Sequence, residues 1–134
     1  MNPQDIILKS KNWKDFKKRL SKLDTKGKGD CFEVLTKAFL ETDPRYTTKL
    51  RYVWHISKVP TKTRKQLNLP IQDEGIDLLA KTREGEYWAI QCKYKTNENQ
   101  SLTYKELGTF TSLSFGICKD ISLALAFLIR IHKY

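Results

Sequence analysis

Asp77, Gln91 and Lys93 are the residues whose types and spacing could do chemistry. They lie in "DEGIDLLAKTREGEYWAIQCKYK", residues 73–95, with the acid in one apolar run and the amide and ammonium two apart in the next. Polar groups converging among apolar neighbours cost stability unless something binds them. A divalent cation does so well. Mg²⁺ takes hard oxygens and keeps several waters, so the Asp77 carboxylate, the Gln91 amide oxygen and the Cys92 backbone carbonyl would suit it. Lys93 would then stand beside the ion, where its charge can position an attacking water and stabilise a pentacovalent phosphate. The alternative without chemistry is an edge-strand ion pair from Asp77 to Lys93, and these three residues alone weigh the two readings equally.

The two runs read as strands, and the connection between them decides whether the three groups meet. Alternation puts Gln91 and Lys93 on one face and Trp88, Ile90, Cys92 and Tyr94 on the other. In the preceding strand Asp77 and Leu79 oppose Ile76, Leu78 and Ala80. The loop is Arg83-Glu84-Gly85, and a three-residue hairpin loop commonly ends in a left-handed residue, which Gly85 supplies. That loop pairs Thr82 with Glu86 and sets Asp77 opposite Gln91. A two-residue loop would put them on opposite faces.

Around this hairpin the chain reads α-α-β-β-β-α-β. Asn12 and Asp15 cap a first helix whose Trp13, Phe16, Leu20 and Leu23 form an apolar stripe, with Lys14, Lys17, Lys18, Arg19 and Lys22 mostly outside it. "DTKGKGD" breaks that helix with two glycines, and "KGKG" at 26–29 is a flexible linker or, less simply, a phosphate-binding turn. "DCFEVLTKAFLE" is the second helix, with Phe32, Leu35, Phe39 and Leu40 inward and Asp43-Pro44 as its end. "KLRYVWHI" suggests a strand, and "KVPTKTRKQLNLP" a long basic loop in which Lys58, Lys62, Arg64 and Lys65 could grip a DNA backbone. Trp54 and His55 read as packing residues and His132 as inert. After the polar loop "KTNENQ", Thr103 and Glu106 form a T-x-x-E capping box for a helix with Leu107, Phe110 and Leu113 inward, ended by Gly116. Residues 121–131 are apolar at nearly every position, as in a strand covered on both faces. The result is an α/β sandwich whose last helix and strand make a parallel crossover.

With 134 residues the chain suits one domain, 1–134, made of a basic N-terminal helix over 1–25 and a core over 26–134. Nothing resembles a secretory signal, and "ISLALAFLIRI" is far short of the roughly 20 residues needed to span a bilayer. Three cysteines with no CxxC argue against a disulfide scaffold or zinc cluster and for a reducing cytoplasmic location without membrane contact. The net charge of +10 is uneven: residues 1–28 hold nine Lys/Arg against three Asp, and residues 43–70 hold seven against one. Such basic blocks favour a polyanion, DNA or RNA, over a merely solvated surface. RNA is the weaker choice, because no aromatic RNP-type motif is present. No GxxxxGK phosphate loop occurs, so any ATP-driven motor lies on another polypeptide or region.

"GID" at 75–77 followed by "QCK" at 91–93 resembles the PD-(D/E)xK nuclease superfamily, most of all its Mrr-like restriction endonucleases with Gln in place of the middle acid. "GDCFEVLTKAFL" is similar to that family's first core helix. "KLRYVWHISKVP…DEGIDLLA" and "LGTFTSLSFGICKDISLAL" look like the N-terminal nuclease domain of single-chain, helicase-containing restriction-modification enzymes. The likeness covers roughly residues 26–130. It implies a restriction-endonuclease-like αβββαβ core, a central mixed sheet flanked by helices with an extra N-terminal helix. It also implies a Mg²⁺-dependent DNA endonuclease, with Mn²⁺ as a substitute, that hydrolyses phosphodiesters by in-line attack of water. Asp77 would be the main metal ligand, Gln91 would take the usual carboxylate position, and Lys93 would be the catalytic lysine. Glu33 would reach the metal directly or through water, although Asp30-x-x-Glu33 also reads as a capping box. Gln91 removes one negative charge and should weaken metal affinity. The implied partners are DNA and, where the chain is a fragment of a larger one, that chain's helicase and methyltransferase regions; a homodimer is compatible. A non-catalytic nucleic-acid-binding module with the same fold is the competing reading.

Overall fold

A computed structural model of the chain describes residues 2–70, 75–95 and 103–130. Most of "KTNENQ" and His132 lie outside the described residues. Four strands form one sheet in the order β1 (Leu50–His55), β2 (Leu78–Thr82), β3 (Tyr87–Lys95), β4 (Ile121–Arg130). The β1–β2 and β2–β3 pairs are antiparallel and β3–β4 is parallel, so the sheet is mixed. A parallel partner needs a crossover, and α6 (Tyr104–Thr111) supplies it.

Helices cover both faces of this sheet. On one side α3 (Thr25–Thr42), followed by the short α4 (Pro44–Thr47), sets Leu40 against Leu78, Ala80 and Ile90. Two further helices, α1 (Pro3–Lys9) and α2 (Trp13–Leu20), pack on α3 through Ile6, Phe16, Leu20, Cys31 and Phe32. On the other side α5 (Thr61–Leu67) and α6 bring Leu67 and Phe110 over Leu79 and Ala89. The apolar positions of β2 and β3 thus divide by parity between two cores, as a pleated strand requires. No helix among the described residues is long and apolar enough to cross a membrane.

Several sequence expectations need correction. The N-terminal layer has two helices, because Asn2 caps α1 by accepting from the Asp5 N–H at 2.9 Å just as Asn12 caps α2. "DTKGKGD" does not break the chain where its glycines fall. Asp24 caps α3 by accepting from the Gly27 N–H at 2.7 Å, so Gly27 and Gly29 lie inside the first turns of the helix. A side chain at Gly27 would press on that cap, its Cβ only 3.1 Å from Asp24 Oδ1. "KGKG" is therefore neither linker nor phosphate turn, and Asp30 cannot be the cap that Glu33 completes. The basic "loop" after β1 contains a 3₁₀ turn at Ile56–Lys58 and then α5. Pro60 begins that helix, where its missing N–H is not needed, and Asn68 ends it in the left-handed region at φ 52°. Gly116 does not stop α6, which runs on as a π-helical turn over Ser112–Ile117. Leu107 is exposed rather than inward, and β4 is an outer strand with partly exposed side chains rather than a doubly covered one.

Candidate active site

The β2–β3 connection is the three-residue loop that the sequence predicts. Gly85 takes φ +91°, the Gly85 N–H donates to Thr82 O, and the Thr82 N–H donates to Glu86 O at 2.8 Å. The ladder then pairs Lys81 with Tyr87, Ala80 with Trp88, Leu79 with Ala89 and Leu78 with Ile90. One step further Asp77, just before β2, donates its N–H to Ile90 O at 2.9 Å, where the regular ladder ends. Asp77, Gln91 and Lys93 share the face that α6 covers. They line one cleft with Gly75, Cys92, Lys105, Glu106 and Thr109.

Each wall of that cleft has a local cause. One Asp77 carboxylate oxygen accepts the Cys92 N–H at 2.7 Å, which ties the acid to the strand carrying the other two groups. Asp77 and Gln91 are 8% and 4% exposed, so both polar ends sit in largely dry surroundings. Among the described residues Gln91 Oε1 has no hydrogen-bond partner. A buried acceptor left in that state costs about 1–3 kcal/mol. Gly75 takes φ +122°, and a Cβ there would stand 3.6 Å from Gln91 Nε2, so the "G" of "GID" gives the chain its turn beside the amide.

The far wall comes from α6. Thr103 Oγ1 accepts the Glu106 N–H and Glu106 Oε1 accepts the Thr103 N–H, both at 3.1 Å, completing the capping box. The same carboxylate lies 3.0 Å from Lys95 Nζ and 3.8 Å from Lys93 Nζ. The Thr103 N–H, and next the Lys95 ammonium, hold the Glu106 carboxyl below the usual carboxylate range. The sequence presents Glu106 only as a cap and gives no signal that singles out Lys95, Lys105 or Thr109. The T-x-x-E box did place Glu106 in the first turn after β3, and the parallel crossover could have put that turn over the Gln91 and Lys93 face.

Glu33 is not brought to this cleft. His55 pairs with Leu78, whose side chain faces α3, and Glu33 Oε2 lies 3.8 Å from His55 Nδ1 on that opposite layer. Burial, and next the nearby Lys37 charge, lower the His55 pKa. The basic group after β1 also divides. Lys58, Lys62 and Lys65 are exposed on the 3₁₀ turn and α5, next to the strand end where the Ile56 N–H donates to Asp77 O. Arg64 instead turns inward and donates to the carbonyls of Ile56 and Pro70. It anchors α5 to the chain before and after it. Arg64→Ala is therefore expected to lower stability by about 1–3 kcal/mol in urea unfolding. Lys62→Ala and Lys65→Ala should stay within about 0.5 kcal/mol.

A family model described as "Restriction endonuclease", of the Mrr catalytic type, matches residues 41–125, a span that includes the whole cleft. The chain belongs to this restriction endonuclease family. The match makes it an Mrr-type nuclease domain and leaves out Glu33. Among solved structures the Mrr-type domain is similar to "ATP-dependent Type ISP restriction-modification enzyme LlaBIII bound to DNA", with a TM-score of 0.58 over 96% of this chain at 22% identity. That degree of identity speaks for the fold, which is the restriction-endonuclease-like one. The chain spans 7% of that enzyme's length. No curated protein matches the Mrr-type chain.

Proposed function

We propose that this Mrr-type domain is a metal-dependent endodeoxyribonuclease that hydrolyses phosphodiester bonds of DNA. In this reading it is the cutting unit of a larger restriction-modification or helicase-linked enzyme. The observation that carries the reading is the buried Gln91 Oε1, without a partner among the described residues, in the same cleft as the Asp77 carboxylate. Two hard oxygens in one cleft fit a Mg²⁺ ion, which binds through few protein ligands and takes the remainder from water and phosphate. Asp77, Gln91 Oε1 and the Cys92 carbonyl would hold it, and Mn²⁺ would substitute. When bound, the cation supplies positive charge at the scissile phosphate and favours deprotonation of water.

The chain's own groups do the rest. Lys93 brings an ammonium whose side chain is 37% exposed, within reach of a phosphate entering the cleft, and its charge stabilises the negative charge that builds on the equatorial oxygens. Asp77 is fixed by the Cys92 N–H, so its carboxylate needs no reorganisation as substrate arrives. Lys105 and Thr109 line the same opening and offer donors to neighbouring phosphates. Lys58, Lys62 and Lys65 extend the positive surface past the Asp77 end and hold the DNA backbone without reading its sequence.

The test is nicking of supercoiled plasmid with Mg²⁺, with Mn²⁺ and with EDTA. The expected result is cutting with either metal and none with EDTA. Binding without cutting under any metal, also when the domain is linked to its motor, would instead favour the non-catalytic DNA-binding module.

A further inference from the structure

We infer that Glu106 is a positioning residue of the cleft, a fixed negative charge that holds the Lys93 ammonium over it. The inference rests on the nuclease reading above and adds a residue to it. Lysine 93 needs such help. Its stem has four rotatable carbons and its side chain is 37% exposed, so left alone it would sample many rotamers. Glu106 cannot wander in the same way. Its Oε1 accepts the Thr103 N–H at 3.1 Å, and its own N–H is held by Thr103 Oγ1. Lys95 Nζ lies 3.0 and 3.2 Å from the two carboxylate oxygens, closing the near side.

This arrangement divides two lysines that are two apart on the same strand. Lys95 takes the close contact with Glu106; Lys93 is left at 3.8 Å, attracted but not hydrogen-bonded by it. Among the described residues the N–H donors of Lys93 therefore stay available to an entering phosphate while the ammonium stays over the opening. A ligand role for Glu106 fits less well, since both its oxygens already face Lys95 and one also takes the Thr103 N–H. A capping role alone does not need the charge, because Gln completes a capping box as well as Glu does.

That last point gives the experiment. Glu106→Gln keeps the box and removes the charge, and a thermal melt should show the fold intact. DNA affinity, measured in Ca²⁺, is expected to rise about 2- to 5-fold as a negative charge leaves a basic cleft. Single-turnover cleavage is expected to fall about tenfold as Lys93 loses its place. Effects of opposite sign are not what a merely loosened helix would give, since that would weaken both. A second measurement does not depend on cutting: in ¹³C-lysine-labelled protein the Lys93 ε-methylene should be restrained in wild type and as mobile as surface lysines in Glu106→Gln. Cleavage at the wild-type rate by Glu106→Gln, or a Lys93 signal equally mobile in both proteins, overturns the inference. If wild type itself leaves DNA uncut, the nuclease reading fails, and the Lys93 signal still decides whether Glu106 positions it.

Discussion

Lys93→Ala is expected to slow DNA cleavage at least about 100-fold, the usual cost of removing one preorganised charge from a transition state. Binding should survive. A single lysine is one phosphate contact among several, and the surface cations on α5 remain in place, so affinity should weaken by no more than a few-fold at moderate salt. Asp77→Ala should abolish cutting as well, but it also strips the Cys92 N–H of its acceptor in a nearly dry site. Part of its effect would then be a loss of stability of about 1–3 kcal/mol. Asp77→Asn keeps an oxygen for that N–H and removes the charge, so it separates the two effects. The check is plasmid nicking and a mobility-shift titration on all three variants. If Asp77→Asn and Lys93→Ala cut at wild-type rates, the assigned roles are wrong.

The second large effect is expected from Gln91→Glu, which restores the acid of the commoner pattern. Without metal it should destabilise the fold. A carboxylate at a position 4% exposed, in the same cleft as Asp77, meets both burial and a like charge, and each unit by which its pKa is pushed up costs about 1.4 kcal/mol at neutral pH. With metal the sign reverses, because two carboxylates attract a divalent cation more strongly than a carboxylate and an amide. Melting curves should therefore show a lower Tm than wild type in EDTA and a larger rise on adding Mg²⁺, while cleavage saturates at lower metal concentration. A variant whose Tm responds to Mg²⁺ no more than wild type would mean that Gln91 does not face the ion.

The central hairpin was legible because its rules are local. Gly85 fixes the loop, the loop fixes the pairing, and strand parity does the rest, so Asp77, Gln91 and Lys93 could be put on one face from the sequence. The capping box at Thr103 was equally local. What escaped were features decided at a distance or by competing signals. Two glycines and a basic run resemble a break, yet Asp24 starts α3 ahead of them, so the Asp30–Glu33 pairing was only apparent. Two prolines made α5 resemble a loop, although Pro60 stands where a helix tolerates it. Arg64 looks like any other cation in "TKTRKQ"; only the folded chain shows it turned toward the Ile56 and Pro70 carbonyls. Glu33 fitted a familiar helix, but the strand parity that gathers the other three groups puts its His55 neighbour on the opposite layer.

The odd-numbered turn at residues 83–85 also makes spacing a discrete variable. Adding or deleting a single amino acid there turns the downstream segment over, exchanging its wet and greasy sides, whereas changes in twos keep them. Drift in this hairpin among related chains should therefore proceed by pairs, and a lone insertion would survive only beside a compensating bulge.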